Sequence, residues 1–242
     1  MSSDKVFTKE NLDVCLRQLA KEYRRLNGTS VPAELILIGG AAVLANYGFR
    51  DMTYDVDAII QATSSMKDAA NRVGDTLGLP SGWLNSDFTK TKSYSPKLSE
   101  FSRYYRTYSN VLTIRIISGE YLVAMKLMSG RKYKNDISDI VGILREENEK
   151  GTPITYERID KAVCDLYRDW SDVPQDSQSL IREILKEDNL EELYEKYRST
   201  EKETKSTLIA FEKDYPKVLN EDNLDDVIAS LKKKKAREDR DR

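Results

Sequence analysis

Asp55 and Asp57 stand one residue apart in a short apolar run, with Val56 between them and Ala58, Ile59 and Ile60 following. In an extended strand, residues two apart face the same side, so the run predicts paired carboxylates on a half-buried surface. Like charges there repel, and each raises the other's pKa unless a cation lies between them. A divalent ion removes that cost, and a carboxylate pair completed by phosphate oxygens suits Mg2+. Upstream, a buried apolar run ends in Gly39-Gly40, and the small residues Ala41 and Ala42 follow. Glycines let backbone approach a phosphate closely, and a helix starting just there aims N–H groups at the anion. Together these parts could hold a metal-bound nucleoside triphosphate.

The order Gly39-Gly40, then Asp55 and Asp57 on the next strand, resembles the DNA polymerase β-like nucleotidyltransferase superfamily. Fourteen residues separate Gly40 from Asp55, slightly more than that superfamily usually has. Further along, the stretch 121–144 is similar to the later motifs of its abortive-infection (AbiE-type) toxin-like branch, in which a helix Lys is followed by an Asp opening the next helix. Lys126 and Asp136 occupy those positions. The Trp83-Leu84-Asn85 element and the start Glu120-Tyr121-Leu122 resemble an uncharacterised bacterial family of nucleotidyltransferases. The likeness spans residues 34–144 and leaves the last hundred or so unaccounted for.

The resemblance implies Mg2+ held by Asp55 and Asp57, and an NTP whose phosphates meet Gly39 and Gly40. It also implies Lys126 steadying the triphosphate, and Asp136 acting as general base or orienting Lys126. The acceptor would be RNA, a tRNA end included, and an antitoxin protein would be the partner. Read from its own surroundings, Lys126 could instead snorkel from the flank of its helix. Asp136 could equally be a helix N-cap, with Asp139 adding favourable charge in the first turn. Active members of the superfamily usually carry a third carboxylate on the central strand that here reads 111–118, yet Arg115 is the only charged residue in it. Arg115 could pair with Asp55 or Asp57 and leave an inactive site, or it could contact a triphosphate. Two alternatives to an RNA-directed enzyme follow: an inactive binding module or toxin–antitoxin component, and a nucleotidyltransferase acting on a small molecule.

Elements must position these residues. Leu12, Leu16, Leu19, Tyr23 and Leu26 recur at steps of four and three, which predicts an amphipathic helix over 8–27, capped by Thr8 and stopped by Gly28. Strand 34–38, helix 41–47, strand 55–60 and helix 66–77 follow, the last ended by Gly78 and Pro80. Residues 81–110 are irregular and mix Lys90, Lys92, Lys97, Arg103 and Arg106 with aromatics. Such a mixture can bind a polynucleotide backbone and stack its bases, or simply form a loop and a strand whose tyrosines cover core edges. A β-branched strand 111–118 and helices 120–129 and 136–148 complete an α+β unit, a mixed sheet flanked by helices.

Gly151-Thr152-Pro153 marks the best boundary, so the expected division is 1–150 as the nucleotidyltransferase-like domain, 151–235 as a helical bundle and 236–242 as a charged tail. The candidate helices beyond that boundary are 156–170, 177–186, 190–198, 204–214 and 222–234.

Composition narrows the chemistry. A chain of 242 residues with 39% hydrophobic and 33% charged residues can build one large or two small domains with a charged surface. A net charge of −2 gives no global pull toward nucleic acid, so any basic surface must be local. With no histidine, the chain has no His-dependent triad and no His acid–base step. Two distant cysteines make neither a disulfide framework nor a zinc site. The polar N-terminus lacks a signal-peptide pattern, and the longest apolar run, 35–45, is too short to span a bilayer. The expectation is a cytoplasmic protein with no membrane partner.

Overall fold

The computed structural model describes residues 6–131, 135–219, 223–224 and 226–231. Helix α1 (Lys9–Asn27) buries Leu12, Leu16, Leu19 and Tyr23, the stripe its periodicity predicts. It opens with a capping box in which the Thr8 N–H donates to Asn11 Oδ1 at 2.8 Å and the Asn11 N–H donates to Thr8 Oγ1.

Strand β1 (Ala33–Leu37) leads into helix α2 (Gly39–Asn46), strand β2 (Val56–Gln61) and helix α3 (Ser65–Leu77), which packs against α1. The irregular stretch resolves into a two-residue strand β3 (Leu84–Asn85), two 3-10 turns (Asp87–Lys90 and Pro96–Phe101) and strand β4 (Ser102–Tyr108). Strand β5 (Leu112–Ile117) follows, then helices α4 (Gly119–Ser129) and α5 (Asp136–Glu149).

The five strands form one mixed sheet in the order β3-β2-β1-β5-β4. β1 lies parallel to β5 and antiparallel to β2; β2 is parallel to β3, and β4 is antiparallel to β5. Register separates two faces. Leu35, Leu37, Ala58, Ile114 and Ile116 share a face with Val56 and are all buried. The opposite face runs from Asp57 and Ile59 across Ile36 to Arg115 and Tyr104. It is only half covered, and Tyr104 is 62% exposed. The fold is thus α+β with a mixed sheet flanked by helices.

α4 buries Gly119 and every residue from Tyr121 to Met128, Lys126 among them, as a helix at the centre of a packed structure does. Helices α6 (Tyr156–Leu166), α7 (Gln175–Ile184) and α8 (Leu190–Asp214) pack around α4 and α5: α6 and α7 on α4, and α8 along α5. No strand occurs among the described residues after β5.

Two sequence expectations need correction. The predicted helix 156–170 stops at Leu166, and a 3-10 turn, Trp170–Asp172, follows it. The predicted helices 190–198 and 204–214 are one helix. No Gly or Pro lies between them, and the hydroxyls of Thr200 and Thr204 donate to carbonyls four residues back. The buried residues Tyr194, Glu201, Thr204 and Leu208 keep a helical stripe running through the join. Of the predicted helix 222–234, residue 223 is a turn and residues 224 and 226–231 are helical; the rest of it and the charged tail 236–242 lie outside the described residues. Among the described residues no helix is long and apolar enough to cross a membrane.

Candidate functional site

The site begins where β1 ends. The Ile38 N–H donates to the Asp57 carbonyl at 3.0 Å, which carries the sheet ladder up to the first glycine. Gly39 has φ of 55°, a left-handed conformation that side chains disfavour, and it opens α2. A Cβ on Gly39 would lie 3.4 Å from Asp57 Oδ2, so the Asp57 carboxylate faces the glycine bend. A Cβ on Gly40 would come within 2.5 Å of Thr53 Oγ1 and 3.0 Å of Arg50 Nη2. The second glycine therefore makes room for the chain's own returning loop.

Along β2, Val56 and Ala58 enter the core while Asp57 is half-buried on the other face. Asp55 is exposed in the bend just ahead of β2, one residue short of the strand the sequence predicts. The ladder stops there because its partner β3 reaches only as far as Val56 and Asp57.

Among the described residues no cluster of three or more acidic or thiol side chains is arranged to hold a metal. Mg2+ usually takes one or two carboxylates together with substrate phosphates and waters. The Asp57 carboxylate, set against the N-terminus of α2, could serve as one such ligand, and the exposed Asp55 in the bend ahead of it could offer a second.

Arg115 lies on Asp57's face of the sheet but turns away from it. Its guanidinium donates to Ser102 Oγ at 2.7 Å and to the Ser102 carbonyl, and it stands 4.0 Å from Glu34. Of the two roles the sequence left open for Arg115, the ion pair with Asp55 or Asp57 gives way to these contacts, since Ser102 and Glu34 lie diagonally across from Arg115 on the neighbouring strands. Glu34 does not supply the missing third acid. It pairs with Gln61, four residues along β2 from Asp57, which is about 13 Å at strand rise.

Lys126 sits in a buried ion cluster. Its Nζ lies 2.9 Å from Asp136 Oδ1 and 2.7 Å from Asp139 Oδ2. Arg131 Nε and Ser129 Oγ donate to Asp136 Oδ2, and Arg50 pairs with Asp139. Lys126, Asp136 and Asp139 are each under 10% exposed. Burial pulls the Lys126 pKa down, but the two carboxylates outweigh it and hold the ammonium above its ordinary range. Burial likewise pushes Asp136 up, yet Lys126 and Arg131 prevail and hold it at about 2. A carboxylate so held has little affinity for a proton at neutral pH, which makes Asp136 a poor general base. From the sequence alone Asp139 reads only as a first-turn helix charge, and nothing local marks Arg50. The available signal was the three-residue spacing of Asp136 and Asp139, which sets both on one face of α5.

α8 closes this region from outside. The Glu201 carboxylate accepts from the backbone N–H groups of Ile137 and Ser138 at 3.0 and 3.2 Å and so caps α5. Its other oxygen, Oε2, is buried and has no hydrogen-bond partner among the described residues. Burial pushes the Glu201 pKa to about 7 despite the two N–H donors. The folded chain therefore holds this proton more tightly than the unfolded chain, whose glutamate titrates near 4.5. The contribution of Glu201 to stability is fully present below pH 4.5 and is lost as pH rises through about 7. The shift corresponds to about 3 kcal/mol. In denaturant titrations, the stability of Glu201→Gln relative to wild type should climb by that order between pH 4.5 and 8. A constant difference would contradict the assignment.

α5 and α8 also hold the loop between α2 and β2. Glu146 accepts from Gly48 and Phe49 N–H at 2.7 and 2.8 Å, and Tyr194 Oη donates to the Phe49 carbonyl at 3.0 Å. Arg198 pairs with Asp51, and Lys205 lies 4.2 Å over the Tyr54 ring. The five basic residues of the basic–aromatic stretch are exposed, and three of them have polar partners. Lys90 pairs with Asp87, Arg106 with Asp13, and Arg103 donates to Asn46. Phe88 is buried, and Phe101 stacks on Tyr121.

A mixed sheet that sets an Asp-x-Asp element against a Gly-Gly bend is a nucleotidyltransferase arrangement. Residues 15–147, which hold every candidate residue above except Glu201 and its neighbours on α8, match the family described as "Nucleotidyltransferase of unknown function (DUF6036)". The chain belongs to that family. No curated protein and no solved structure matches it.

Proposed function

We propose that this chain is a magnesium-dependent nucleotidyltransferase that moves a nucleoside monophosphate from an NTP to an acceptor, with an RNA end, such as that of a tRNA, as the acceptor. The observation that carries this reading is the Asp57 carboxylate set against Gly39 at the start of α2. Asp55 and Asp57 would hold the ion, whose charge would offset that of the triphosphate at the reacting α-phosphate. Gly39, Gly40 and the first N–H groups of α2 receive the phosphates. The acceptor oxygen attacks the α-phosphorus, the bond to the β-phosphate oxygen breaks, pyrophosphate leaves, and the acceptor's proton passes to solvent. Lys126 and Asp136 act from inside, through Asp139 and Arg50. Kinship with the AbiE-type toxin-like branch, and with it an antitoxin partner, rests on the order of Lys126 and Asp136 after the Asp pair.

One observation favours a second reading: β5 carries no acid, so the site has two carboxylates where active superfamily members usually have three. On that reading the chain is an inactive nucleotide- or protein-binding module. Incubation with each labelled NTP, Mg2+ and either total RNA or a small-molecule acceptor mixture separates the possibilities. Label in RNA is the expected result. Label only in small molecules would move the assignment to a small-molecule transferase, and metal-dependent binding without turnover would favour the module.

A further inference from the structure

We infer that Arg50 is the cation that contacts the triphosphate at the glycine bend, a role that rests on the nucleotidyltransferase reading. The sequence offers Lys126 and Arg115 for this role, and both are turned elsewhere. Lys126 Nζ is shared between Asp136 and Asp139, and Arg115 is engaged by Ser102 and Glu34. Arg50 stands instead at the bend itself, beside Gly40. Its Nη2 lies 3.0 Å from the position a Gly40 Cβ would take, next to Thr53 Oγ1 at 2.5 Å, so the guanidinium sits against the second glycine of the bend. Asp57 approaches the neighbouring Gly39. The bend is thus flanked by a metal-binding carboxylate at one glycine and a guanidinium at the next.

Arg50 is also held in place. Nε donates to the Met52 carbonyl at 3.0 Å, Nη1 pairs with Asp139, and the side chain is 14% exposed. Asp139 is shared with Lys126, so Arg50 has only part of that carboxylate's charge. Among the described residues, the linked cluster Arg50, Asp139, Lys126, Asp136 and Arg131 has three cationic and two anionic members. An added phosphate would be welcome at its Arg50 end. A guanidinium presents a planar fork that matches phosphate oxygens, and a fixed fork loses little freedom on binding. Lys126 and Asp136 are then positioning residues, acting through Asp139 on the orientation of Arg50.

The test is calorimetric titration of the full chain with each Mg2+–NTP and the matching Mg2+–NMP. Wild type, Arg50→Ala and Arg50→Lys are compared, and thermal melting checks their folding. Arg50→Ala should weaken triphosphate binding about ten- to hundredfold, the range expected for a charge-assisted contact. Monophosphate binding should change far less, so the ratio of the two affinities collapses. Arg50→Lys keeps the charge beside Asp139 without the fork, and should recover part of the loss. Triphosphate affinity unchanged in either folded variant, or equal losses for both ligands, would overturn the assignment of Arg50 alone. A wild type that binds no nucleotide would overturn the underlying reading and this inference with it. If Arg50→Ala does not fold, the same ratio in Arg50→Lys decides.

Discussion

Replacement of Asp57 by Asn is expected to reduce nucleotide transfer by about a thousandfold or more while leaving the fold intact. The size follows from what the carboxylate does. Loss of one preorganised hydrogen-bond donor to a developing charge already costs a factor of about 100 to 1,000, and a metal ligand carries a full charge. The intact fold follows from position: Asp57 is half-buried, its carbonyl carries the ladder bond to Ile38, and Asn keeps both the backbone and the shape. Turnover with the preferred NTP, together with a melting curve for each protein, checks both halves. Full activity in a folded Asp57→Asn protein would remove the carboxylate from the mechanism.

Asp139→Ala should have the largest effect on stability. Asp139 is 3% exposed and accepts from both Lys126 and Arg50. Its removal leaves two cations facing each other in the interior, and breaking a buried pair from one side typically costs about 3–5 kcal/mol. That is a large share of the 5–15 kcal/mol that domains usually have. Asp139→Asn keeps the volume and one acceptor oxygen and should cost less. Urea denaturation of the two variants and wild type measures the difference. A loss below about 1 kcal/mol for the alanine variant would show that the cluster relaxes or rehydrates, contrary to its close packing.

The elements around the glycine bend were legible in the sequence because each is written in local signals. α1 has a regular apolar stripe between Thr8 and Gly28, and β1 and β5 are short β-branched or aliphatic runs bounded by breakers. The placing of Asp57 beside Gly39 also followed from local pattern, since a strand, a short helix and a returning strand leave little choice of geometry. What could not be read was long-range pairing of charges. Arg50 meets Asp139 across 89 positions, and Glu201 caps a helix that begins more than 60 residues earlier. No periodicity encodes such contacts; they depend on how α5 and α8 pack against the loop after α2. The same holds for Arg115, whose strand position was clear but whose choice of Ser102 and Glu34 is set by neighbouring strands. The joining of two predicted helices into α8 is a smaller lesson. Ser, Thr and charged residues lower helix propensity without ending a helix when the buried stripe continues.

The central claim is that this bend holds a metal-bound triphosphate through Asp57. Calorimetric titration with each of the four NTPs, with Mg2+ and then with chelator, tests it most directly in wild type and Asp57→Asn. Wild type should bind at least one NTP in a manner that depends on Mg2+ and is lost with the carboxylate. Binding that is equal with chelator or in Asp57→Asn, or absent for every NTP, would contradict it.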